Sequence, residues 1–248
     1  METLRRAFAR MCGMLPGTIG LAGYFLCCVL PCKRCRRSGG VRSGGGASGK
    51  GSDEEAALLP SKGMQQVVLV GLDGAGKSSF LWMCEHPGDS QLPAPGALKP
   101  TVGVLRLMRK GVPSAERGCL VDLDLSEVGG AEKIRPFWPH YITREVRALA
   151  FLVSATAPER LDEAAAQFVT VCDAFQSRTP FARFVLVASH SDAPGASSAE
   201  EIHTAIRSRV GNAVDFDCVT CTELALHGAH ARASCDALLR ILARLAVE

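Results

Sequence analysis

From Met64 onward the chain alternates two rhythms. Short apolar runs rich in β-branched residues, "QVVLVG" at 66–71, "TVGVLRLMR" at 101–109, "GCLVDLDL" at 118–125, "ALAFLVSA" at 148–155, "RFVLVAS" at 183–189 and "DFDCVT" at 215–220, are separated by stretches whose apolar residues recur every three to four positions. The first kind reads as strands and the second as helices, predicted at about Lys77–Cys84, Phe137–Glu145, Glu159–Phe175, Ser198–Arg209 and Ala231–Ala246. Strands that are apolar almost throughout belong to a sheet covered on both faces. Strands alternating with helices place that sheet in a three-layer α/β domain. "MRKGVPSAERG", 108–118, reads as a hairpin tip and makes the second and third strands antiparallel.

Before Met64 the pattern is different. No charged residue occurs between Arg10 and Lys33, a run long enough to cross a bilayer. Arg5, Arg6 and Arg10 precede it; Lys33, Arg34, Arg36, Arg37 and Arg42 follow it, and this heavier cluster puts the rest of the chain on the cytoplasmic side. Three readings stand: a spanning anchor, a surface anchor fixed by acylation of Cys27, Cys28, Cys32 or Cys35, and neither of these. Glu2 excludes N-myristoylation. The Gly/Ser-rich residues to about Gly63 read as a flexible tether with a reach on the order of 30 Å. The organisation expected is an anchor over 1–32, a linker over 33–63 and a globular domain over 64–248. Within the linker, Glu54 stands four positions before Leu58 and Leu59, a spacing that resembles the acidic dileucine signal read by clathrin adaptors; the plain alternative is a solvated acidic patch.

Composition removes several classes. At 47% hydrophobic, 21% charged and a net charge of +3, the chain carries no basic excess that would mark a nucleic-acid partner. Of its eleven cysteines, the pairs Cys32/Cys35 and Cys218/Cys221 have C-x-x-C spacing but no local second pair to close a zinc site.

The chemistry begins at "GLDGAGKSS", 71–79, which satisfies G-x-x-x-x-G-K-[ST] between an apolar strand and a helical stretch. Glycines allow successive backbone N–H groups to turn inward around a phosphate, and the helix N-terminus adds partial positive charge. Asp73, Gly74, Ala75, Gly76, Lys77, Ser78 and Ser79 are the candidate phosphate contacts. Lys77 would bridge the outer phosphates, and Ser78 would ligate Mg²⁺.

"GLDGAGKSS", "PTVG" at 100–103 and "EVGGAEKIRPFWPHY" at 127–141, in this order, resemble the phosphate loop, switch I and switch II of the ADP-ribosylation factor (Arf) and Arf-like small GTPases. The likeness runs from about Val67 to the C-terminus. It implies a P-loop NTPase fold, the small-GTPase G domain, with a mainly parallel six-stranded sheet, GTP or GDP as ligand with Mg²⁺, and effector proteins as partners of the switches. Carried over by position, Thr101 matches the switch I threonine that reaches the metal and the γ-phosphate, and Gly130 the switch II glycine whose N–H meets that phosphate. Glu127 matches the metal-site aspartate, and His190 and Asp192 fall in the base-reading segment.

Several positions depart from the family. Ser126-Glu127-Val128-Gly129-Gly130-Ala131 stands where W-D-x-G-G-Q is usual. Glu127 is one methylene longer than aspartate and still accepts from a metal-bound water, whereas Ala131 offers no group to orient an attacking water. In place of N-K-x-D come Ser189, His190, Ser191 and Asp192. Asp192 keeps the contact that rejects adenine. The two other losses, at roughly 1–3 kcal/mol each, lower affinity by about one to two decades per site. Cys221-Thr222 is loosely placed as the last base contact. Phe137, Trp138 and Tyr141 read as switch-helix core or effector surface, and His140, His203, His227 and His230 as solvated or capping groups.

The expectation is a membrane-anchored, weakly or non-hydrolysing GTP-binding switch on the cytoplasmic face of a membrane, recruiting effectors in membrane traffic. The alternative is a pseudo-GTPase scaffold without useful nucleotide binding.

Overall fold

The computed structural model describes residues 59–89, 91–94, 96–114, 119–178 and 183–248. The expected anchor, most of the tether, Glu54, Leu58, Cys27, Cys28, Cys32 and Cys35 lie outside the described residues. Among the described residues, no helix is long and apolar enough to cross a membrane.

Six strands form one sheet in the order β2-β3-β1-β4-β5-β6. They span Leu59–Gly71 (β1), Val104–Ser114 (β2), Cys119–Val128 (β3), Val146–Ser154 (β4), Arg183–Ser189 (β5) and Val219–Leu224 (β6). β2 runs antiparallel to β3, and every other neighbouring pair is parallel. The helices are α1 (Lys77–Glu85), α2 (Trp138–Tyr141), α3 (Leu161–Arg178), α4 (Ala199–Val210) and α5 (Ala231–Leu245). The expected six-stranded, mainly parallel α/β architecture is the one observed.

Strand periodicity sorts the core into two layers. Val67 and Leu69 of β1 pack with Phe80 and Met83 of α1 and Leu238 and Leu242 of α5, whereas Val68 and Val70 point to the other face, with Phe168 of α3 and Ile202 of α4. The second layer is knit by edge-on aromatic contacts from Trp138 to Phe151 (6.2 Å) and from Phe151 to Phe168 (5.1 Å). Each such ring, removed from water, contributes about 1.5–3 kcal/mol.

Boundaries differ from the sequence reading in four places. β1 begins at Leu59, inside the stretch read as linker, because β3 supplies a backbone partner: Leu59 pairs with Cys119 and Lys62 with Val121. The β2–β3 hairpin is longer than its apolar pattern, and β2 holds Pro113 because it is the edge strand of the sheet. The helix expected over Phe137–Glu145 is confined to Trp138–Tyr141; Ile142 leaves helical geometry, and its carbonyl accepts from Arg178 Nη1 at 2.9 Å. Residues 216–218, expected as strand, form a 3₁₀ turn capped by the Asp215 side chain. α4 starts as its sequence predicts, with Ser198 and Glu201 in a reciprocal capping box.

Candidate functional site

The loop between β1 and α1 gathers the phosphate-binding candidates at the ends of parallel strands, where open α/β sheets place their ligands. Gly76 has φ of 75°, and a Cβ there would stand 2.6 Å from Leu226 Cδ1 and 3.3 Å from His190 Nε2. Only glycine fits. Ala75 is buried and turns back on Leu72, while Ser78 and Ser79 sit in the first turn of α1.

Lys77 is buried, and its Nζ donates to the carbonyls of Gly71 (2.9 Å) and Leu72 (2.8 Å). Burial pushes its pKa down to about 8, against the opposing pull of Glu127 and Asp73. Ser78, Thr101 and Glu127 come together from α1, the segment before β2, and the end of β3. Ser78 Oγ donates to Glu127 Oε1 at 2.6 Å and lies 3.4 Å from Thr101 Oγ1. Glu127 is buried, and its second oxygen, Oε2, has no hydrogen-bond partner among the described residues. Two hydroxyls and a carboxylate with an unsatisfied buried oxygen fit a hard divalent cation such as Mg²⁺.

Gly130 lies against the phosphate loop so closely that a Cβ would stand 2.6 Å from Asp73 N and from Gly71 O. Gly129 N donates to Gly103 O at 2.9 Å, and the Gly129 carbonyl accepts from Trp138 Nε1 at 2.9 Å. Trp138 therefore serves the core, whereas Phe137 is 55% exposed beside it. Ala131 contributes its carbonyl to the turn that follows, accepting from Ile134 N at 2.8 Å.

A charge cluster absent from the sequence reading locks this seam. Arg135 donates Nε to Gly130 O (2.8 Å) and Nη2 to Asp73 Oδ1 (2.8 Å), and pairs with Glu163 through Nη1. Arg160 holds the same two carboxylates, at 2.9 Å each. Arg160, followed by Arg135, keeps the Asp73 carboxyl below its ordinary range, and both arginines do the same to Glu163. No local pattern announces a group formed by residues this far apart in sequence.

At the base-reading end, Asp192 is braced on both oxygens: Oδ1 accepts Leu226 N–H and Oδ2 accepts His227 N–H, each at 2.8 Å. Each carboxylate oxygen keeps a further acceptor site. Cys221 and Thr222 are not placed there; they lie within β6, and Cys221 Sγ donates to Ala199 O. The loop after β6, with Leu226 and His227, stands at that position instead. Ser189 is turned away, donating Oγ to Val153 O at 3.1 Å. His190 takes a left-handed backbone, φ 58°, and its Nε2 lies 3.2 Å from Gly74 O. Its ring stacks at 6.3 Å from that of His227, which is exposed, as expected of a solvated group, and borders the site. Burial lowers the His190 pKa and favours a neutral imidazole. Among the described residues, no cluster of three His, Cys, Asp or Glu side chains forms a metal site.

The chain is similar to known proteins. The model of the ADP-ribosylation factor family matches residues 55–235. Human ADP-ribosylation factor-like protein 4D is 32% identical over 147 residues, 59% of this chain and 68% of that protein. ADP-ribosylation factor-like protein 10 of Mus musculus is 30% identical over 152 residues, 60% of this chain and 55% of that one. Among solved structures, the mammalian SRP receptor superposes with a TM-score of 0.59 at 17% identity, over 72% of this chain and 100% of that chain. The Arl6 BBS3 small GTPase from Trypanosoma brucei with bound GppNp reaches 0.52 at 22% identity, over 73% and 99%. These two likenesses are of fold.

Proposed function

We propose, from the premise that this chain belongs to the ADP-ribosylation factor family, that it is a guanine-nucleotide switch with slow hydrolysis, held at a membrane through residues 1–32 and recruiting effector proteins in membrane traffic. The observation that carries this reading is the convergence of Lys77, Ser78, Thr101, Glu127 and Gly130 on one glycine loop.

The residues divide the work. Backbone N–H groups of 73–78 face the phosphates, and Lys77 turns from the carbonyls of Gly71 and Leu72 to the outer phosphates. Ser78, Thr101 and Glu127 would hold a Mg²⁺, which would supply charge neutralisation at the phosphates. Gly130 N–H and Thr101 meet the third phosphate, so that its loss frees both segments. Asp192 offers its remaining acceptor sites to the N1–H and exocyclic amino donors of guanine, held in aim by Leu226 and His227. Ala131 leaves the attacking water without a side-chain partner, which makes the cycle slow unless another protein supplies that group.

Val102, Leu105, Met108 and Phe137 are exposed apolar residues on the segments that follow Thr101 and Gly130. They supply the surface for an effector whose docking depends on the nucleotide. The charge-free run between Arg10 and Lys33, with basic residues on both flanks and cysteines within it, supports the membrane anchor.

The test is to denature freshly purified protein and identify what elutes. Guanine nucleotide in near-stoichiometric amount supports the switch. No nucleotide moves the reading to a scaffold, and ATP contradicts the role given to Asp192.

A further inference from the structure

Glu127 is 1% exposed, yet only one of its carboxylate oxygens is accounted for. Oε1 accepts from Ser78; Oε2 is buried without a donor among the described residues. An ionised oxygen in that setting is strongly destabilising unless a cation or a donor meets it. Lys77 is close enough for its charge to be felt, but its Nζ is committed to the carbonyls of Gly71 and Leu72.

Three oxygen-bearing side chains, Ser78, Thr101 and Glu127, stand close enough together to reach one small ion. Mg²⁺ holds oxygens at about 2.0–2.1 Å in an octahedron, which sets adjacent ligand oxygens about 3 Å apart. Ser78 Oγ lies 2.6 Å from Glu127 Oε1 and 3.4 Å from Thr101 Oγ1, on either side of that value. The side chain also reaches about 1.3 Å further than an aspartate from the same backbone position, so the carboxylate need not stop at a bridging water.

We propose that Glu127 ligates the divalent ion directly, taking the place of one of the waters that Mg²⁺ ordinarily retains. The proposal rests on the nucleotide-switch reading above and changes what that site does: the carboxylate enters the ion's inner shell, leaving one position fewer to water.

The full chain is loaded with GDP and Mn²⁺, and coordinated waters are counted from the broadening of the Mn²⁺ EPR lines in ¹⁷O-enriched water. The wild type is expected to show one water fewer than Glu127→Asp, whose shorter carboxylate returns that position to solvent. Equal counts overturn the proposal while leaving nucleotide binding in place. A second measurement needs no variant: wild-type protein carrying ¹³C-carboxylate glutamate should give a strong Mn²⁺–¹³C coupling by ENDOR. A coupling confined to the weak dipolar range of a water-separated carboxylate also overturns it. A chain that takes up neither GDP nor Mn²⁺ overturns both readings.

Discussion

Arg135 Nη2 lies 2.8 Å from Asp73 Oδ1, which ties the segment after β3 to the phosphate loop through a side chain only 7% exposed. Because Arg135 also serves Gly130 O and Glu163, its removal takes the side-chain donor from a backbone carbonyl and leaves both carboxylates to Arg160 alone. We expect Arg135→Ala to lower stability by about 1–3 kcal/mol, and Arg160→Ala, at a more exposed position, by no more than about 1 kcal/mol. Urea unfolding monitored by tryptophan fluorescence ranks the two; the reverse order would show that the buried guanidinium is not the principal tie. The carboxyls of Asp73 and Glu163 sit below their ordinary range. Their contribution is thus complete above pH about 4–5 and disappears as pH falls through the lowered values.

Lys77 sets an alkaline limit on ligand affinity. In the free protein its pKa is about 8, and phosphate favours the charged form, so binding raises that value. Affinity is therefore full below pH 8 and declines above it, by up to about tenfold per pH unit while one proton is taken up on binding. Titration calorimetry with GDP from pH 6.5 to 9.5 measures this; a flat profile would mean that Lys77 keeps its proton without the ligand.

Ala131 has no side-chain group to orient an attacking water, so the proposed switch is expected to turn over slowly. Introducing the missing amide, Ala131→Gln, should raise single-turnover phosphate release by at least about tenfold. No change would place the defect elsewhere in the site, with the reshaped metal ligand Glu127 the next residue to vary.

Asp192 is expected to choose the base. Asp192→Asn exchanges one acceptor for a donor, which opposes both the backbone N–H it meets and a guanine ring donor. GDP affinity should fall by about one to two decades while ADP affinity changes little. Equal losses for both nucleotides would mean that the substitution disturbs the loop after β6 rather than discrimination.

What was legible in the sequence was local. The glycine loop is contiguous, so its spacing alone carried it, and the unbroken apolar run of Val67 to Val70 declared a sheet with two buried faces. What was hidden depended on distant partners. The polar start of β1 becomes strand because β3 offers it a ladder, and no hydrophobic pattern marks Lys62 or Gln65. Leu226 and His227 find Asp192 across 34 and 35 positions, and Arg160 finds Asp73 across 87. Such meetings are products of strand order, which reading along a line does not reveal.

The fit of Gly130 against Asp73 and Gly71 leaves no space for a single methyl group. A seam with that little slack works as a feeler gauge: it registers what has been inserted by whether it can shut. Any heavier residue at 130 would wedge it ajar, and under the proposed switch the seam would then read the same with or without a third phosphate.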